Sequence, residues 1–154
     1  MRRRLATTVL VIGGMVVAPL SVATPADAGK RRPAVTGHRV IGYSIKDRPI
    51  HAWRVGNPRS RVKAVAIAAI HGDEIAPRQI LFSIRDGAPV KGIDLWLIPT
   101  YNRDGVARGP RKNARGVDLN RNFPRRWAEL DGQVESGRGP ASERETRVLM
   151  RFLN

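Results

Sequence analysis

The chain has 154 residues, room for one domain with a real core. It contains no cysteine, which excludes a disulfide framework and suits an exported bacterial protein that does without one. Lysine and arginine number 28 against 13 acidic residues, a formal net charge of +15, so the surroundings are expected to be anionic: nucleic acid, a membrane surface or an acidic wall polymer. Nucleic acid has only the charge behind it, because there is no zinc-finger spacing, no RNA-binding aromatic signature and only 5% aromatic content to stack bases.

Residues 1–28 read as a signal peptide. Arg2, Arg3 and Arg4 form a positive start, Leu5 to Ala18 is mainly apolar, and Ala26-Asp27-Ala28 is a small-x-small cleavage site. The apolar part is short and contains Thr and Gly, so no stable membrane anchor is expected once the signal is removed. Export places the mature protein outside the cell or at the wall. Residues 29–37 form a basic, Pro- and Gly-containing leader, expected to be loose. Val40 to Ile45 and Ile50 to Val55 are strand-like around the turn-prone Lys46-Asp47-Arg48-Pro49, which predicts a hairpin. His38 and His51 fall there as ordinary strand residues.

Ala64 to Ile70 is an unbroken apolar run, too short for an ordinary buried helix, and predicts a central strand buried on both faces. It ends in His71-Gly72-Asp73-Glu74, where open α/β sheets place their ligands. An imidazole and a carboxylate three residues apart can turn toward one point, and that pair suits Zn²⁺. Solvated polar residues at a strand end are the plain alternative. Pro77, Ile80, Leu81 and Ile84 then keep helical spacing up to Gly87. Gly92 to Pro99 is another strand, so strand–helix–strand order predicts a parallel pair.

From Thr100 to about Trp127 comes a long basic segment of little periodicity, the kind of loop that usually has a task. A solvated basic loop and a nucleic-acid patch are two readings of it. A third is that Asn120-Arg121 grips a substrate carboxylate while a separate Arg meets an oxyanion. Ser142 to Leu153 opens with a capping-box pattern from Ser142 to Glu145 and carries a Val148, Leu149 and Phe152 stripe, predicting a final helix. No internal repeat is present.

His71-Gly72-Asp73-Glu74, Tyr101-Asn102-Arg103-Asp104-Gly105, Arg111-Lys112-Asn113 and Gly116-Val117-Asp118-Leu119-Asn120-Arg121-Asn122-Phe123-Pro124 together resemble, in order, the zinc carboxypeptidase family. The spacing is most similar to its murein peptide amidase branch, which cleaves γ-D-glutamyl–diaminopimelate bonds. The resemblance runs from about Val40 onward, and Ser142-Glu143-Arg144-Glu145-Thr146 is similar to the Ser-Glu-Pro-Glu-Thr of that branch. It implies His71 and Glu74 as the first two zinc ligands, Arg111 as the group that polarises the scissile carbonyl, and Asn120 and Arg121 as the grip on the released residue's carboxylate. The family pattern is departed from at Arg103 and Arg144, each standing where it has proline.

The resemblance also implies a third ligand, a histidine on a strand after the Ser142 helix, and a glutamate base further on. No histidine follows His71 in this sequence. The expectation is therefore a three-layer α/β domain, a mixed sheet flanked by helices and C-terminally truncated, spanning residues 38–154. The function expected is that of a secreted zinc peptidase hydrolysing an amide beside a free carboxylate, with wall muropeptides as substrates, inactive as this chain alone. The alternative is a non-catalytic basic wall-binding protein that keeps the carboxylate grip.

Overall fold

The computed structural model describes residues 34–130 and 134–154. The signal peptide and most of the leader expected from the sequence lie outside the described residues. Strands β1 (Val35–Tyr43) and β2 (Pro49–Gly56) form the expected antiparallel hairpin. Its turn is closed by the Ser44 N–H donating to the Arg48 carbonyl at 2.9 Å. β1 starts earlier than the alternation suggested. Val35 and Gly37 lie within the segment expected to be loose, yet pair with Val55 and Arg54, and Ala34 just before them is buried beside Val55, Leu81 and Leu97.

Strand β3 (Lys63–Ile67), helix α1 (Pro77–Asp86) and strand β4 (Asp94–Ile98) make the expected strand–helix–strand unit, with β3 and β4 parallel. The sheet order is β1-β2-β4-β3 and the sheet is mixed, because β2 and β4 are antiparallel. The strand read as central is therefore an edge of this sheet. Ala64, Val65 and Ala66 are only half-buried and Ile67 is exposed, since no described strand pairs with the free side of β3. The strand also stops before Ile70. Ala68 still donates to the Ile98 carbonyl at 3.0 Å, but Ala69 takes a positive φ of 50° and swings the chain out of the pleat.

Alternation along the strands fills two cores on opposite faces. Ile50, Ala52 and Ile98 point to one face and meet Val148 and Leu149 of helix α3 (Arg144–Leu153), with Tyr101 and Leu119. Val55 and Leu97 point to the other and meet Leu81 of α1 with Ala68. Helices thus cover both faces, giving the three layers the sequence implied. Val148 and Leu149 are almost fully buried, each contributing roughly 1.5–3 kcal/mol of apolar burial. Two helix expectations need correction. Ile80 stands 63% exposed, so α1 presents Leu81 and half-buried Ile84 to the core without it. The capping box is not made: Glu143 is the N-cap, the Ser142 hydroxyl donates to the Glu143 carboxylate at 3.0 Å, and Glu145 instead accepts from the Ile45 N–H at 3.1 Å.

The segment expected to be one aperiodic loop contains a short helix, α2 (Arg103–Arg108), and a 3₁₀ turn at Leu119–Arg121. Buried asparagines organise it. Asn102 caps α2 by accepting from the Gly105 N–H, Asn113 accepts from Arg115 and Val117, and Asn122 ties Ser136 to Glu143. Side-chain amides replace the periodic ladders that the sequence lacks.

One buried carboxylate staples three strands. Asp94 accepts from Arg54 through Nε and Nη2, both at 2.6 Å, and from the Lys63 ammonium at 2.9 Å. Arg54 first, with Lys63 adding to it, lowers the Asp94 pKa from 3.8 to about 2 despite burial. A carboxyl whose folded pKa lies below its unfolded value contributes stability above the unfolded value and loses it as pH falls toward the folded one. Between about pH 4 and 2 the protein is expected to lose roughly 1–2 kcal/mol through this group. Denaturant midpoints across that range check it, and Asp94→Asn should flatten that part of the profile. An unchanged profile in Asp94→Asn would remove Asp94 from the acid response.

Candidate active site

His71 lies just past the end of β3, on chain that the Ala69 turn directs away from the sheet. Its neighbour Gly72 explains how close that chain comes to the loop. A Cβ on Gly72 would overlap the backbone of Gly105 and the carbonyl oxygen of Pro110. The Gly72 N–H donates to the Arg111 carbonyl at 2.9 Å, and Asn102 Nδ2 donates to the same oxygen at 3.1 Å. Two segments distant in sequence, the end of β3 and the start of the Arg111 loop, are thereby locked side by side.

Within this frame the His71 imidazole is buried and held from one side. Nε2 lies 3.0 Å from Asp118 Oδ1, and the backbone N–H of Asn120 donates to that same oxygen at 2.9 Å. Burial raises the Asp118 carboxyl, but the Asn120 N–H, then His71 and Arg111, bring it below the usual carboxylate range. An ionised Asp118 fixes the ring orientation.

The other ring nitrogen has a different neighbourhood. Nδ1 is buried and makes no hydrogen bond, although Glu74 Oε1 is only 2.9 Å away. The two atoms are close without hydrogen-bond geometry. Glu74 is half-exposed, and the imidazole first, with Arg111, holds its carboxyl below the ordinary range. Arg111 reaches both carboxylates, with Nη1 at 3.1 Å from Glu74 Oε1 and Nε at 3.3 Å from Asp118 Oδ2. His71, Glu74 and Arg111, singled out from sequence, are brought together.

Asn120 and Arg121 are placed differently. Both are exposed on the 3₁₀ turn that starts immediately after Asp118, and their side chains make no hydrogen bond among the described residues. They line a 470 Å³ cavity with Phe123, Arg125, Arg126 and Trp127 among its walls. The sequence reading assigned Asp118 no role, naming it only within the Gly116–Pro124 motif. A lone carboxylate between Val117 and Leu119, both buried, was the available signal, since a buried acid needs a partner.

A divalent cation suits what is present in part. The unpartnered Nδ1 and adjacent carboxylate are a borderline-soft pair of the kind zinc takes, with a carboxylate behind the imidazole. Among the described residues no group of three His, Cys, Asp or Glu side chains gathers into a full ligand set. Asp118 faces Nε2 and so orients the ring from behind rather than joining the pair.

Comparison with known proteins points the same way. Murein peptide amidase A of Escherichia coli K12 is 31% identical over 144 residues, covering 79% of this chain and 55% of that protein. The crystal structure of murein-tripeptide amidase MpaA from Escherichia coli O157 superposes with a TM-score of 0.62 at 29% identity, covering 84% of this chain and 59% of that one. Carboxypeptidase A from Helicoverpa armigera shares the fold with a TM-score of 0.64 at 23% identity, over 79% of this chain and 38% of that one. The chain thus spans between about a third and three-fifths of the length of these relatives. The family description "Zinc carboxypeptidase" matches residues 26–154, a stretch that holds the whole His71–Asp118 site, and the chain belongs to that family.

Proposed function

We propose that this chain is part of an exported zinc-dependent peptidase that hydrolyses an amide bond beside a free carboxylate, with cell-wall peptides as the substrate class. The observation that carries the reading is the buried Nδ1 of His71, unpaired beside Glu74 and steadied from behind by Asp118. His71 and Glu74 would hold the zinc, which when bound supplies Lewis acidity and a water of lowered pKa. Arg111 stands next to both and carries a fixed positive charge suited to an oxyanion developing on the scissile carbonyl. Asn120 and Arg121 offer a neutral donor and a guanidinium fork for the substrate's carboxylate. The murein amidase relatives and the basic character of the chain support wall peptides, and residues 1–28 support export.

Two protein donors are one fewer than a catalytic zinc site takes. The 154-residue polypeptide alone is therefore expected to bind zinc weakly and to show no amide turnover, while a form that supplies a further histidine should gain both. Metal content and titration on the purified polypeptide test this, with His71→Ala and Glu74→Ala each weakening zinc binding about tenfold or more. Zinc binding indifferent to both changes would sink the zinc reading. Tight binding with turnover would show that two described donors suffice.

A second reading, a non-catalytic wall-binding protein, is favoured by the cavity beside Arg121, whose walls among the described residues carry three arginines and no carboxylate. Chelation separates the two. Retention on wall material that survives chelator while hydrolysis is absent, even with the third donor supplied, identifies the binding protein.

A further inference from the structure

A second, smaller cavity lies on the α1 face of the sheet. It encloses about 60 Å³ and is lined by His51, Trp53, Arg78, Phe82, Thr100 and Arg103. None of these residues belongs to the site around His71. Strand β2, helices α1 and α2 and the chain just after β4 all contribute, so the cavity is made by the fold rather than by one flexible loop.

Its charges are out of balance. Arg78 donates through Nε to the Thr100 hydroxyl at 2.9 Å and lies 5.6 Å from the Phe82 ring centroid, which leaves its terminal nitrogens unassigned among the described residues. The Nε of Arg103 is buried and has no hydrogen-bond partner among the described residues. Among the described residues no carboxylate lines the cavity. The nearest acid in sequence, Asp104, is already committed, accepting from Arg48 Nη1 at 2.8 Å, the Ser44 hydroxyl at 2.9 Å and the Lys46 N–H at 3.1 Å. Burial first, then the like charges of Arg78 and Arg48, lower the Arg103 pKa from its ordinary value. A guanidinium nitrogen without a partner in a partly dry site costs stability unless something else pairs with it.

The walls and the size narrow what that partner is. Trp53 and Phe82 exclude water from two sides and strengthen any charge–charge contact inside. The volume admits one small charged group and no sugar or aromatic ring. His51 adds an imidazole whose Nδ1 is engaged by His38 Nε2 at 2.9 Å, so its Nε2 is the nitrogen left for the cavity. We propose that this cavity is a binding site for a small oxyanion, the carboxylate or phosphate group of a ligand, held by Arg103 and Arg78 with His51 beside them. The site does not depend on the zinc reading, because it shares no residue with it.

The test uses the full 154-residue chain in chloride buffer at fixed ionic strength, titrated separately with inorganic phosphate and with acetate by calorimetry and thermal melting. Saturable one-to-one binding of either anion is expected, and which of the two binds tighter assigns the class. Arg103→Gln should weaken it about tenfold or more, as one charge-assisted fork is lost. The same variant should melt no lower than the parent without oxyanion, because it removes a like charge. Arg78→Gln provides a second measure should Arg103→Gln fail to fold. Arg59→Gln, in an exposed turn, should leave the binding intact. Saturation that persists unchanged in Arg103→Gln and Arg78→Gln, or no saturation by either anion, overturns the site.

Discussion

In a catalytically competent form of the domain, Arg111→Ala is expected to lower kcat by roughly 10²–10³-fold, while Arg121→Ala mainly raises KM. The two arginines meet different charges. Arg111 sits within 3.1 Å of Glu74 and 3.3 Å of Asp118, among the groups that would surround a reacting carbonyl, so its charge is best used as the oxyanion forms. Arg121 is exposed at the wall of the neighbouring cavity and, in the proposed role, would meet a carboxylate that is charged before, during and after the reaction. Such an interaction is equal in ground and transition states and shows in KM. Because Arg111 also contacts Asp118, Arg111→Lys belongs beside the alanine variant: it keeps a charge but loses the fork, and should recover only part of kcat. Equal losses of both parameters in both alanine variants would dissolve the division of roles.

The second large effect concerns a residue with no side chain. Gly72→Ala is expected to destabilise the fold by about 3 kcal/mol, toward the upper end for overpacking, because the added methyl meets backbone rather than a side-chain tip that can turn away. The relief open to the chain is to part the end of β3 from the Arg111 loop. That would break the Gly72–Arg111 hydrogen bond and loosen the bond between His71 and Asp118. Stability by denaturant and zinc affinity should therefore fall together. A variant as stable as the parent, with unchanged metal binding, would show that the two segments can separate at little cost.

Local chemistry was legible in the sequence. The hairpin, the parallel β3–α1–β4 unit and the Val148–Leu149 face of α3 follow from alternation, turn residues and helical spacing, all decided within about a dozen residues. The position of β3 was not, since an apolar run signals a buried strand but does not say which neighbours complete its sheet. Pairing across the chain also decided the fate of Ser142 and Glu145, whose local capping pattern lost to Asn122 and Ile45. For the site, His71, Glu74 and Arg111 announced themselves by ordered motifs. Asp118 did not, because its role depends on a contact across 47 residues, and no local period encodes that distance.

The shared carbonyl of Arg111 has a consequence for the order of events. Gly72 and Asn102 both donate to it, so the chain just after His71 and the chain after β4 meet on a single acceptor of the loop that follows α2. The orientation of His71 is thus not a property that β3 can acquire as the sheet forms. It is obtained when the loop closes over the strand ends, a late and entropically demanding contact in folding. In reverse, a local opening of that loop, short of global unfolding, is enough to release the imidazole. The orientation of His71 belongs to the same cooperative unit as the loop, and its persistence is set by the loop's closing equilibrium rather than by the stability of the sheet beneath it.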